Sequence, residues 1–225
     1  MRELSVEGFR AATLSAPLGA QQQRPIVIAL HGNYDRPEWQ CAVWREVTQG
    51  YPWVLCPRGV PRADAKALDR WTYAGAPKLA EEIAAGLAAL AAAYPDYVDT
   101  KKPMLAGFSL GAILGVQLLS KKQREPSYPV SVLVEGGYKG WNKASAKAFS
   151  EQGGKRVLFA CGQSACEHAS RQAAKVLTKY GISAEVVSGG NVGHTYDGAV
   201  AEAIEAKWRW LVGDDTRFSN QANAK

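Results

Sequence analysis

Imidazole is scarce in this chain: only His31, His168 and His194 occur among 225 residues. Any reaction that needs a histidine base therefore has three candidate positions. No apolar run approaches the roughly 20 residues that a helix needs to cross a bilayer, so no membrane span is expected. The opening Met-Arg-Glu-Leu-Ser-Val-Glu-Gly has no apolar signal core, which implies either no export or a leader already removed. Cysteine is sparse as well, with four residues in two local pairs, Cys41 with Cys56 and Cys161 with Cys166. A zinc site would want two close pairs, or Cys and His at short spacing, and only His168 lies near. No metal and no cofactor is therefore expected. Two local bridges, with a periplasmic or secreted location, are favoured over four free thiols in the cytoplasm.

Charge is one-sided, +6 at pH 7. The densest basic stretch, Lys139, Lys143, Lys147, Lys155 and Arg156, lacks the motif of a nucleic-acid reader. It is expected to be a solvated helix face, and nucleic acid is not an expected partner.

A length of 225 residues suits one α/β domain with a core that stands without a metal. Short apolar runs at 26–30, 53–56, 103–107, 130–134, 156–160 and 184–187 read as strands. Helices are expected at 37–49, 77–94, 109–122, 167–180 and 198–212. Segment 4–14 reads as an edge strand or hairpin, and 57–76 as irregular with an exposed Trp71-Thr72-Tyr73. Such alternation implies a mostly parallel central sheet with helices on both faces. No insertion is long enough to form a large lid domain. The domain is expected to span 1–213, leaving 214–225 as a polar, mobile tail.

Within this pattern Gly107-Phe108-Ser109-Leu110-Gly111 stands between an apolar strand, Pro103 to Ala106, and the apolar helix that begins at Ala112. Strand, sharp turn and helix are the context that makes G-x-S-x-G a nucleophile elbow. A serine hydroxyl is unreactive at neutral pH until a base takes its proton. Upstream, the buried-type strand Ile26-Val27-Ile28-Ala29-Leu30 ends in His31-Gly32-Asn33. Near the C-terminus Gly193-His194-Thr195-Tyr196-Asp197-Gly198 precedes the last helix.

In that order, from about residue 24 to 212, the chain resembles the α/β-hydrolase family, and within it the small carboxylesterase and phospholipase-like members. The resemblance implies an α/β-hydrolase fold, Ser109 as nucleophile and His194 as base. It also implies an oxyanion hole made by the backbone N–H groups of Asn33 and Leu110, with His31 as structural support for that loop. A small-molecule ester is the expected substrate, cleaved through an acyl-enzyme. A peptidase or amidase on the same groups, or a binding protein with a broken triad, remain as alternatives. The third group is less plain, because the loop Cys161 to Glu167 holds no aspartate where the family usually places its acid. Glu135 ends an apolar strand at the carboxyl edge of the sheet, where α/β sites are assembled, and two glycines follow it. It is the preferred acid. Glu167 is the runner-up, Asp197 reads better as a helix cap, and a dyad with no acid is the last option. Tyr34, Trp71, Tyr73 and Tyr138 are candidates to line an acyl or alcohol pocket, or ordinary packing aromatics.

Overall fold

The computed structural model describes residues 1–121, 126–213 and 215–218. Strand β1 (Arg2–Leu4) and strand β2 (Ala12–Ser15) form the expected antiparallel edge. β3 (Ile26–Leu30) leads through helix α1 (Pro37–Val47) to β4 (Trp53–Cys56), which pairs parallel to β3 and antiparallel to β2. A small antiparallel ribbon, β5 (Val60–Pro61) with β6 (Trp71–Thr72), precedes helix α2 (Ala76–Ala93). The chain then returns to the far side of β3 as β7 (Met104–Phe108), followed by α3 (Leu110–Leu119). β8 (Val130–Val134), α4 (Lys143–Glu151), β9 (Arg156–Cys161), α5 (Ser164–Thr178) and β10 (Ser183–Ser188) continue the parallel run. Helices α6 (Ala199–Ala206) and α7 (Trp208–Val212) complete the order.

The eight-stranded sheet reads β1-β2-β4-β3-β7-β8-β9-β10, parallel from β4 onward. Its strands alternate apolar residues toward both faces, which is why they need covering twice. On one face Ile26, Ile28, Leu30, Leu105 and Phe159 pack with α2, α3, α4 and α5; on the other Val27, Ala29, Ala106, Val132 and Leu158 pack with α1, α6 and α7. All five residues of β3 are 0% exposed. Burying a side chain such as Ile28 contributes about 1.5–3 kcal/mol.

The topology places the site. From β3 the chain leaves toward β4 on one side and comes back to β7 on the other, so the order reverses between β3 and β7. In open α/β sheets a crevice opens at such a point beyond the carboxyl ends of the strands. Here those ends are Leu30 and Phe108, followed by His31-Gly32-Asn33 and Ser109.

Several elements differ from the sequence-based expectation, each for a visible reason. α5 starts at Ser164, three residues early, and this first turn brings Cys166 back over Cys161. The last helix breaks at Lys207, whose backbone (φ −99°, ψ 2°) is not helical. The basic stretch is not one helix face: only Lys143 and Lys147 lie on α4, Lys139 sits in a 3-10 turn, and Arg156 begins β9. Trp71 and Tyr73 are buried, at 8% and 7% exposure, because the β5–β6 ribbon folds them under the loop after β3. Of the segment expected as a tail, Thr216–Phe218 form a 3-10 turn with Phe218 buried against Trp208, and Arg217 binds Asp99 and Asp215. Residues 214 and 219–225 lie outside the described residues.

Both cysteine pairs are bonded, Cys41–Cys56 fastening α1 to β4 and Cys161–Cys166 fastening the start of α5 to the end of β9. Among the described residues no helix is long and apolar enough to cross a membrane. The bridge across a separation of 15 residues is expected to stabilise by about 3 kcal/mol through the unfolded chain, more than the one across 5. Urea denaturation of the Cys41→Ala/Cys56→Ala double variant measures this against the native chain. Intact-mass analysis after alkylation without reductant should find no alkylated cysteine. Four alkylated residues would reject both bridges.

Candidate active site

The turn from β7 into α3 is tight because its neighbours lack side chains. A Cβ on Gly107 would lie 2.7 Å from the Ala112 nitrogen, and one on Gly111 would lie 2.5 Å from the Leu30 carbonyl oxygen. Both obstacles are backbone, so they cannot turn aside. Gly111→Ala is therefore expected to destabilise the fold by several kcal/mol, read as a lowered urea midpoint. An unchanged midpoint would mean that strand and helix are not packed this closely.

Between those glycines Ser109 adopts φ 50°, a left-handed conformation costly for a residue with a Cβ. Glu135, directly after β8, has φ 50° as well, and Tyr34 after Asn33 has φ 63°. Strain of this kind costs about 1–3 kcal/mol each and collects where side chains must be aimed rather than packed. At Ser109 and Glu135 the residue is held by ladder bonds that continue past the strand end. The Ser109 N–H donates to Val134 O at 2.9 Å, and the Glu135 N–H to Ala160 O at 3.0 Å.

The structure brings Ser109, His194 and Glu135 together. His194 Nε2 lies 2.9 Å from Ser109 Oγ, and His194 Nδ1 lies 3.1 Å from Glu135 Oε2. The Glu135 side chain is 2% exposed, whereas that of His194 is 48% exposed. The other carboxylate oxygen of Glu135, Oε1, accepts the Gly162 N–H at 2.6 Å. With a proton on Nδ1, the ring donates to Glu135 and leaves Nε2 as the acceptor for the serine hydroxyl. Phe108 packs against the imidazole at 5.0 Å between centroids, and the Gly193 N–H donates to Gly162 O.

Glu167 is not part of this group. Its carboxylate takes the Ser188 hydroxyl at 2.6 Å and the Arg171 guanidinium at 3.4 Å, on the outer side of α5. Asp197 is exposed and accepts from Thr195, and His168 is exposed on α5. Among the described residues the only close group of metal-ligand types is Glu135, Cys161 and Cys166. Its two sulfurs are bonded to each other, so it has no thiolate to offer a metal.

The loop after β3 faces the elbow. No described residue accepts a hydrogen bond from the backbone N–H of Asn33 or of Leu110. His31 is fully buried and stacked on Tyr73 at 4.3 Å; burial pulls its pKa down, against the carbonyl oxygens beside its two ring nitrogens, which push it up. Its Nδ1 lies 2.7 Å from Gly32 O and its Nε2 3.0 Å from Arg58 O. Carbonyl and N–H point in opposite directions across a trans peptide. A ring proton on Nδ1, by holding the Gly32 carbonyl, thus also fixes the direction of the Asn33 N–H.

Two residues here had no role in the sequence reading. Asp35, 5% exposed, accepts from Gly32, Arg36, Gln40 and Tyr196, and Tyr196 comes from the histidine loop. The signal available in sequence was only their place, each two residues beyond a site residue. A cavity of about 460 Å³ opens beside Ser109 and His194, along α3 and the turn at Tyr138. Ile113, Val116 and Tyr138 line its apolar part, and Gln117, Ser120 and Lys139 its polar part. Of the candidate pocket aromatics only Tyr138 borders it; Trp71 and Tyr73 are packing residues, and Tyr34 is exposed on its loop.

No protein-family model matches the sequence, and no curated protein matches it. Solved structures do. Esterase PE8 superposes with a TM-score of 0.66 at 18% identity, over 89% of this chain and 98% of that one. The Bacillus cereus carboxylesterase gives 0.60 at 17% identity, over 90% of this chain and 95% of that one. The Pyrococcus horikoshii acylaminoacyl peptidase gives 0.60 at 13% identity, over 96% of this chain but 41% of the peptidase. Identity this low speaks for architecture alone. With its parallel sheet, strand reversal and elbow turn, the chain has the α/β-hydrolase fold, without a large lid domain.

Proposed function

We propose that the chain is a serine hydrolase that cleaves small-molecule carboxylic esters through an acyl-enzyme on Ser109. The observation that carries this reading is the continuous relay from Ser109 Oγ to His194 at 2.9 Å and from His194 to the buried Glu135 at 3.1 Å. His194 takes the hydroxyl proton at Nε2 while Oγ attacks the ester carbonyl carbon. The electron pair moves to the carbonyl oxygen, which enters the space before the Asn33 and Leu110 N–H groups. Such donors, fixed in advance, lower the barrier by about 3–4 kcal/mol each. Collapse of this intermediate breaks the bond to the alcohol, and His194 returns the proton to the departing oxygen. Water then takes the alcohol's place and attacks the acyl carbon as His194 accepts its proton; collapse breaks the bond to Ser109 Oγ, His194 returns the proton to Oγ, and the acid leaves. Glu135 stays ionised throughout and stabilises the imidazolium.

The cavity beside Ser109 is open, in keeping with small or extended esters rather than a substrate enclosed by a lid. Two of the similar structures, esterase PE8 and the Bacillus cereus carboxylesterase, are in keeping with an esterase reading. The test is labelling with a fluorophosphonate, which reacts only with an activated serine, combined with hydrolysis of short p-nitrophenyl esters and the matching anilides. Labelling at Ser109 with ester turnover is the expected result. Faster anilide than ester cleavage would make the chain an amidase. Absence of both labelling and turnover would leave a binding protein on a hydrolase scaffold.

A further inference from the structure

We infer that Asp35 and Tyr196 form a positioning pair that holds the oxyanion loop and the histidine loop at a set distance across the active site. The inference rests on the reading of Ser109 and His194 as reacting groups and adds two residues that touch neither substrate nor nucleophile. The Asp35 carboxylate is almost wholly buried, yet among the described residues no cation pairs with it. Four donors satisfy it instead. Oδ2 accepts the Gly32 N–H at 3.2 Å and the Gln40 amide at 3.3 Å. Oδ1 accepts the Arg36 N–H at 2.8 Å and the Tyr196 hydroxyl at 3.1 Å. Hydrogen bonds to an ionised acceptor are the stronger kind, and a buried carboxylate cannot easily lose one.

The consequence for the oxyanion loop is local. Gly32 is held on both sides, its N–H by Asp35 and its carbonyl by His31. Asn33, the oxyanion donor of the proposed mechanism, is the next residue. The loop cannot relax on its outer side either, since the Asp35 carbonyl accepts the Trp71 N–H at 3.0 Å and the Tyr34 N–H donates to Trp71 O at 3.1 Å. No side chain can be added at Gly32, because a Cβ would lie 2.8 Å from the Phe108 ring.

The other half of the pair reaches the base. Tyr196 follows His194 by two residues, and its ring meets Phe108 edge-on at 4.6 Å. Phe108 in turn packs on the His194 imidazole and immediately precedes Ser109. Burial and the neighbouring Asp35 push the Tyr196 hydroxyl far above its ordinary pKa, so it remains a donor. One hydrogen bond therefore closes a ring of contacts through Asp35, Gly32, Phe108 and Tyr196 that ties the loop carrying Asn33 to the loop carrying His194. His194 is itself half exposed and among the described residues is otherwise held by Ser109 Oγ, Glu135, the Phe108 ring and the flanking glycine turn. A side chain that anchors its loop to the oxyanion loop sets base and oxyanion donors in one frame. Small displacements matter here: about 1 Å can cost a factor of about 100 in rate.

The test compares Tyr196→Phe, Asp35→Asn and the double variant, with turnover counted per fluorophosphonate-titrated site. Tyr196→Phe keeps the ring packing and removes only the anchoring hydroxyl. It is expected to lower kcat about tenfold with KM within about twofold, and to weaken an alkylboronic acid, a tetrahedral adduct former, by the same factor as kcat. Asp35→Asn should fall further, about a hundredfold, and the double variant should be no worse than Asp35→Asn alone because Tyr196 acts through Asp35. A merely structural role predicts a lower melting temperature with kcat per titrated site and boronate affinity unchanged, and that result overturns the pair. Additive losses in the double variant also overturn it. If the native chain neither labels nor turns over ester, the hydrolase reading fails and takes the pair with it. If the native chain is active and Tyr196→Phe equals it, only the pair fails.

Discussion

Replacing Ser109 with alanine is expected to abolish ester turnover, lowering kcat by about five to six orders of magnitude while the fold survives. Loss of the nucleophile removes the covalent route altogether, and the remaining members of such a group cannot act alone. What persists is the modest acceleration from the oxyanion donors and from binding. The fold should survive because alanine keeps the Cβ that the elbow already accommodates at φ 50°. Among the described residues the lost hydroxyl has His194 alone as its partner, and that histidine is solvent-accessible enough to find water instead. Steady-state hydrolysis of p-nitrophenyl acetate and butyrate, with a thermal melt as control, checks both halves. Activity equal to the native chain would end the mechanism proposed for this site.

How far this arrangement can be read from sequence depends on whether the determinants are local. The inner parallel strands are legible because each is a short run buried on both faces, as in Ile26–Leu30, with no polar alternation to confuse its period. Ser109 is legible because a turn this tight needs Gly107 and Gly111 beside it, close in sequence. Glu135 is legible for a similar reason: it ends a strand, and Gly136 must lie against the Ser109 backbone, where a Cβ would come within 2.7 Å of the Ser109 carbonyl oxygen. Other features depend on distant partners. Trp71 reads as exposed in an irregular stretch, yet it is covered once the ribbon pairs Asp35 with Trp71. Asp35 and Tyr196 stand 161 residues apart, and neither has a neighbour that would announce the other. A buried carboxylate satisfied by two backbone amides, a side-chain amide and a distant hydroxyl leaves no motif at all. The same holds for the α5 start, which follows from the Cys161–Cys166 bridge rather than from helix propensity.

Substituting Glu135 with glutamine is expected to lower kcat by about four orders of magnitude, with Glu167→Gln within about twofold of the native chain. The reason is a count of donors and acceptors. The native carboxylate accepts twice, from the Gly162 N–H at 2.6 Å and from His194 Nδ1 at 3.1 Å. A glutamine has one oxygen and one NH₂ group, so it can serve only one of those donors. The Gly162 N–H is buried, belongs to the loop fastened by Cys161–Cys166, and cannot turn away; it keeps the oxygen. The NH₂ then faces His194 Nδ1 and is satisfied only if that nitrogen is unprotonated. The ring proton moves to Nε2, where it points at Ser109 Oγ, and the base can no longer accept. A wrong tautomer of this kind costs about 10⁴ in turnover where geometry is otherwise kept. Glu167, bound to Ser188 and Arg171 on the far side of α5, has no such contact to lose. Steady-state kcat for the two variants, each with a melting curve, provides the comparison. A larger loss in Glu167→Gln would move the acid to the loop at 161–167, and both variants within tenfold of the native chain would leave Ser109 and His194 to work as a dyad.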